Sequence, residues 1–135
     1  MMKNFRIVLF FIGALTFSCS DSDDNTVSLE DDAPDTCANT EVYDPNFTGT
    51  ACCIQRNSDL SIGEIIEYEY FTNLTDPSID WEVISGDIEI VSGSSSSVVT
   101  IRLGDSFTEG VINAQGISSE NAALACGESV TIMRN

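Results

Sequence analysis

The chain of 135 residues contains no histidine, and only five lysines and arginines stand against 22 aspartates and glutamates. Without histidine the usual general base and the commonest metal ligand are both missing, so hydrolase triads of the Ser-His-Asp kind are excluded. All the acidic residues lie beyond position 20, whereas Lys3 and Arg6 precede it. From residue 19 onward the 22 acids therefore face only Arg56, Arg102 and Arg134, a formal charge of −19. A surface of that sign repels phosphate backbones and anionic head groups, because binding either depends on Lys and Arg displacing counterions. Nucleic acid is not an expected partner. There is no C-x-x-C pair, no helical apolar period, and no apolar run of the roughly 20 residues that cross a bilayer.

What is present begins at the amino terminus. Residues 1–18, MMKNFRIVLFFIGALTFS, have a short basic start and then an apolar stretch too short for a membrane span, the plan of a signal peptide. It ends in LTFSC at residues 15–19, which resembles the lipobox of bacterial lipoproteins, with Leu15 one place further from the cysteine than usual and Phe17 in place of a small residue. The resemblance implies cleavage before Cys19 and a lipid on that cysteine, hence attachment to a membrane.

The next residues, SDSDDN at 20–25, resemble the acidic export signal of surface lipoproteins of the Bacteroidota. That implies an outer-membrane lipoprotein displayed at the cell surface, the alternative being a lipoprotein facing the periplasm. Asp21, Asp23 and Asn25 also imitate a calcium loop, but Thr26 stands where that loop needs glycine and Asp32 where it needs a bidentate glutamate. Few apolar residues, many charges and Pro34 make residues 19–36 an expected disordered acidic tether.

One domain, residues 37–135, is expected after it, since a chain this short buries a single modest core. Its apolar residues come in short alternating runs separated by Gly, Ser, Asn and Asp, the period-two signal of half-buried strands. In residues 65–71 Ile66, Tyr68 and Tyr70 alternate with Glu67 and Glu69. In residues 79–83 Ile79, Trp81 and Val83 alternate with Asp80 and Glu82, and in residues 98–103 Val99, Ile101 and Leu103 share a face. Further strands are expected at 52–55, 87–91, 111–115 and 129–133, with SGSSSS at 92–97 as a loop. Seven short strands without intervening helices predict an all-β antiparallel sandwich whose core includes Tyr68, Tyr70, Trp81, Val83 and Ile101.

The ordered pieces IDWEV, SGDIEI, the serine loop, VVTIRL, GVINAQ and CGESVTI resemble the PKD-like, immunoglobulin-like domains of Bacteroidota surface proteins. The chain reads W-E-V-I-S-G-D where the family proper has W-x-F and an Asp-Gly turn. The resemblance implies a spacer, adhesion or binding module and transfers no catalytic residue.

With Cys19 assigned to lipid, Cys37, Cys52, Cys53 and Cys126 form an even set suited to an oxidising compartment. Neighbouring strand residues point to opposite faces, so Cys52 and Cys53 seek different partners. Either Cys52 joins Cys37 and Cys53 joins Cys126, or the assignments exchange. The long bridge is worth about 4 kcal/mol by loop entropy. A zinc or thiol-redox site is disfavoured without histidine or C-x-x-C.

No catalytic residue and no cofactor are expected. The carboxylate pairs Glu67/Glu69 and Asp80/Glu82 have the spacing of glycosidase acids but sit on water-facing strand positions. Tyr43, Phe47 and Phe71 are candidates for exposed contact, the sequons at Asn46 and Asn73 are expected to be idle, and residues 105–109 offer no calcium-ligand spacing. The expectation is a non-enzymatic, lipid-anchored display, adhesion or interaction module for a cell-surface or extracellular protein or glycan. Its rival is a glycan- or calcium-binding lipoprotein of a polysaccharide-uptake system.

Overall fold

A computed structural model describes residues 28–34, 36–38, 40–58 and 60–135. The expected signal peptide, the expected lipid site at Cys19 and the acidic run at 20–25 lie outside the described residues. The described chain forms eight strands: β1 (Leu29–Asp31), β2 (Cys52–Arg56), β3 (Ile65–Thr72), β4 (Ser78–Ser85), β5 (Ile88–Ser92), β6 (Val98–Leu103), β7 (Glu109–Ile117) and β8 (Ala125–Arg134). A single 3-10 turn, Glu41–Tyr43, precedes β2.

Two antiparallel four-stranded sheets result, ordered β1-β8-β7-β4 and β2-β3-β6-β5. The inward residues fall where period-two alternation puts them: Ile66, Tyr68 and Tyr70 on β3 and Val99, Ile101 and Leu103 on β6 are buried against Trp81 on β4 and Ile112, Ala114, Val130 and Ile132 on β7 and β8 of the opposing sheet. Strands β2 to β8 follow the constant-type immunoglobulin order, four strands facing three, and β1 is added antiparallel to the outer edge of β8.

Two expectations need correction. The stretch assigned to the tether contains β1: Leu29 packs on the core and the Asp31 side chain is buried, so the domain includes residue 28 rather than starting at Cys37. A three-residue strand is too short to show alternation, and its partner β8 is about a hundred residues away. With β1 the described residues form eight strands, in keeping with the expected antiparallel sandwich of about seven. Val83 is only partly buried at the margin of the core, next to a register shift between Val83 and Ser85 that turns the end of β4. Phe107, from the β6–β7 turn, is completely buried and closes that end of the core.

Alternation on β2 sets both the cross-linking and the covering of the sandwich. Cys52, Ile54 and Arg56 face the other sheet, and each makes a different link: Cys52 a disulfide to Cys126 on β8, Ile54 an apolar contact, Arg56 an ion pair with Asp31 on β1. Cys53 and Gln55 face outward and hold the preceding arm, Cys53 through a disulfide to Cys37 and Gln55 by accepting the Cys37 N–H at 3.0 Å. Of the two pairings left open by the sequence, the structure selects Cys37–Cys53 and Cys52–Cys126.

Candidate functional site

The registers define two poles. At one lie the start of β8 (Ala125 opposite Ile117), the start of β4 (Ser78 opposite Ile117) and the start of β2 (Cys52 opposite Thr72). The loops at 73–77, 93–97 and 118–124 and the arm at 40–50 gather there; we call it the loop pole. At the other end Asn135 donates its N–H to Ser28 O at 2.7 Å, so the chain enters the domain at the opposite, amino-terminal pole.

The loop pole is built by side chains that tie loops to strands. The Asn73 amide donates to Gly49 O at 2.8 Å and accepts from Ala51 N–H at 2.9 Å, so this sequon asparagine fixes the arm. The serine loop is not a slack linker. Its carbonyls accept three N–H groups from two strands: Ser94 O from the Trp81 backbone, Ser96 O from the Trp81 indole and Ser97 O from the Tyr70 backbone, each at 2.8 Å. Glycine is required at position 93, where φ is +80° and an added Cβ would lie 2.0 Å from Val98 O.

Trp81, 4 % exposed, is a core residue and meets Tyr70 edge to face with ring centroids 6.4 Å apart. The Tyr70 hydroxyl donates to Cys126 O at 2.6 Å, placing an inter-sheet hydrogen bond beside the inter-sheet disulfide. Burial raises the Tyr70 phenol above its ordinary range. Glu128, on the same stretch of β8, is also pushed up, by partial desolvation and then by the charge of Asp32.

Of the three aromatics singled out in the sequence, two come together. Phe71 sits on the outer face of β3 directly opposite Cys53, and Tyr43, carried over that face by the disulfide-held arm, lies with its ring centroid 6.1 Å from that of Phe71. Tyr43 remains 52 % exposed. Phe47 packs instead near Gly49 within the arm. The pairing was not legible in the sequence because it depends on which cysteine holds the arm.

Beside this pair a groove of about 600 Å³ runs between the β3–β4 crossover and the serine loop. Phe71, Pro77 and Ile79 supply its apolar lining, Glu69 and Asp76 its carboxylates. Asp76 has φ of +38°, a left-handed conformation uncommon outside glycine that aspartate tolerates better than most residues. A second groove of about 520 Å³ lies between the arm and β8, bordered by Glu41 and Glu128.

The carboxylate pairs do not form a catalytic constellation. Glu67 is exposed and Glu69 half-buried, accepting from the Asn57 amide at 3.0 Å, while Asp80 and Glu82 are exposed on the outer face of the other sheet. Among the described residues no group of three or more Cys, Asp or Glu is placed to hold a metal ion. In the acidic 105–109 turn, Ser106 donates to Asp87 at 2.6 Å, a contact that closes the amino-terminal pole. No helix among the described residues is long and apolar enough to cross a membrane. The fold and its bridges define a disulfide-bonded, immunoglobulin-ordered β-sandwich. Comparison of the chain with protein-family models, curated proteins and solved structures returns no match.

Proposed function

We propose that the protein is a lipid-anchored, non-enzymatic display module that offers its loop pole to a partner at the cell surface, as a relative of the PKD-like domains. The observation that carries this reading is the polarity of the domain: the chain enters at Ser28, at the end opposite the loops. A lipid on Cys19 stands nine residues before Ser28. Nine residues reach at most about 30 Å, so the amino-terminal pole lies within that reach of the bilayer and the loop pole is the end of the domain far from the anchor. Two disulfides suit an oxidising compartment outside the cytosol.

Replacement of Cys19 by Ala tests the anchor, and protease treatment of intact cells tests the direction of display. The expected results are loss of membrane retention for the variant and removal of the wild-type domain from intact cells. Retention of the Cys19→Ala chain in the membrane fraction overturns the lipid anchor. Protection of the wild type in intact cells, with digestion after outer-membrane permeabilisation, overturns outward display.

A further inference from the structure

We propose that the groove between the β3–β4 crossover and the serine loop docks an extended, arginine- or lysine-bearing segment of a partner protein, an inference that rests on the loop pole facing outward. Acidic residues stand at both poles of the sandwich, but the arginines do not. Arg56 and Arg102 lie in the last turns of pleat of β2 and β6, and Arg134 ends β8, so the three arginines of the domain all sit toward the amino-terminal pole. There Arg56 meets Asp31 at 2.7 Å, Arg102 meets Glu89 at 3.1 Å, and Arg134 reaches Asp105 O at 3.5 Å.

Toward the loop pole stand Glu41, Asp44, Glu69, Asp76, Glu120 and Glu128, with no arginine or lysine on that half of any strand. The field at this end is therefore negative and uncompensated, attracting cations and repelling phosphate, sulfate and uronate ligands.

The groove adds shape and specificity to that field. Phe71, Pro77 and Ile79 form an apolar surface on which the methylene stem of a basic side chain packs, and Glu69 and Asp76 flank it as acceptors for its head. The exposed Tyr43 ring, 6.1 Å from Phe71, extends the surface with an aromatic face suited to a guanidinium or ammonium group. A neutral glycan would use the rings and would donate its hydroxyls to the carboxylates, but it carries no charge for them to attract, so its binding would not weaken with salt.

Salt dependence and position-specific charge removal separate these cases. The mature full-length chain in detergent is titrated with a nine-residue peptide alternating Arg and Ala, with the corresponding Glu-Ala peptide, and with a neutral cello-oligosaccharide. Binding of the Arg peptide alone is expected, weakening steeply as ionic strength rises from about 0.05 to about 0.5 M. The double variant Glu69→Gln, Asp76→Asn, which conserves side-chain size, is expected to weaken it by about tenfold or more. Removing two charges at the other pole, Asp105→Asn with Glu109→Gln, is expected to change it by less than about twofold.

Equal loss in the two double variants means diffuse attraction to an acidic surface and overturns the groove. Salt-independent binding of the oligosaccharide, or no binding of the Arg peptide, overturns the cationic partner. Circular dichroism on each variant verifies that a loss of binding is not a loss of fold. The anchor and display reading is judged separately, by fractionation and protease access, so a failure of either is visible on its own.

Discussion

Asp31 and Arg56 join the two sheets through a partly buried ion pair. The guanidinium Nη1 lies 2.7 Å from Asp31 Oδ1, and the Asp31 side chain has no accessible surface. The other carboxylate oxygen accepts the Tyr68 hydroxyl at 2.5 Å, so one aspartate on β1 engages both β2 and β3 of the opposing sheet. Two strong donors satisfy a carboxylate whose burial would otherwise be costly.

Removing Asp31 is therefore expected to do more than free a short edge strand. Asp31→Ala leaves the Tyr68 hydroxyl and the partly buried Arg56 without this acceptor and is expected to destabilise the domain by about 3 kcal/mol, the low end for a broken buried pair because Arg56 keeps some water contact. The shift in urea midpoint measures it. A change under about 0.5 kcal/mol, as at ordinary surface sites, would show that β1 contributes nothing to the sandwich.

Tyr68 predicts an alkaline limit. Burial, and then its hydrogen bond to Asp31, hold the phenol far above its ordinary range in the folded state. The unfolded chain releases that proton near pH 10, so the stabilisation is fully present below that pH and is lost progressively above it. Tyr68→Phe is expected to flatten the fall in melting temperature between about pH 9 and 11. At neutral pH the same change costs about 2 kcal/mol for the lost charge-assisted hydrogen bond. Some alkaline slope remains in the variant, because Tyr70 is shifted in the same direction. An unchanged slope would rule out Tyr68 as its source.

The cysteine pairing is open to a thiol count. Cys37→Ser with Cys53→Ser removes one whole bridge and should leave the domain without free thiols, whereas Cys37→Ser with Cys52→Ser orphans Cys53 and Cys126. The lost bridges are unequal: by loop entropy the Cys52–Cys126 bridge, closing 74 residues, is worth about 4 kcal/mol and the Cys37–Cys53 bridge about 3. Two reactive domain thiols in the first double variant would contradict the pairing.

Glu128 makes a smaller prediction of opposite sense to most carboxylates. Its folded-state affinity for a proton is raised by partial desolvation and by Asp32, so the folded chain binds that proton more tightly than the unfolded one. Its contribution is thus lost as pH rises above about 4. Glu128→Gln is expected to raise the urea midpoint at pH 7.5 slightly and to have little effect at pH 3.5. Destabilisation at pH 7.5 would show that its charge makes a favourable contact.

Local pattern decided much of this protein. Alternation in residues 65–71 and 98–103 suffices to put Tyr68, Tyr70 and Ile101 inside, because a pleated strand can present only every second residue to one core. Strand adjacency also required Cys52 and Cys53 to take different partners. Where the signal was non-local, only the tertiary structure decided. Leu29–Asp31 reads as acidic linker until β8 supplies its edge and Arg56 and Tyr68 receive Asp31. Phe107 lies in a turn without period, and its burial depends on two sheets meeting around it.

The choice of Cys37 for Cys53 rests on which face of β2 the arm crosses, and that choice brings Tyr43 to Phe71. The gathering of the arginines toward the amino-terminal pole, which leaves the acids of the loop pole without a basic neighbour on the strands, follows from strand direction and sheet order. Residue spacing along a single chain carries neither.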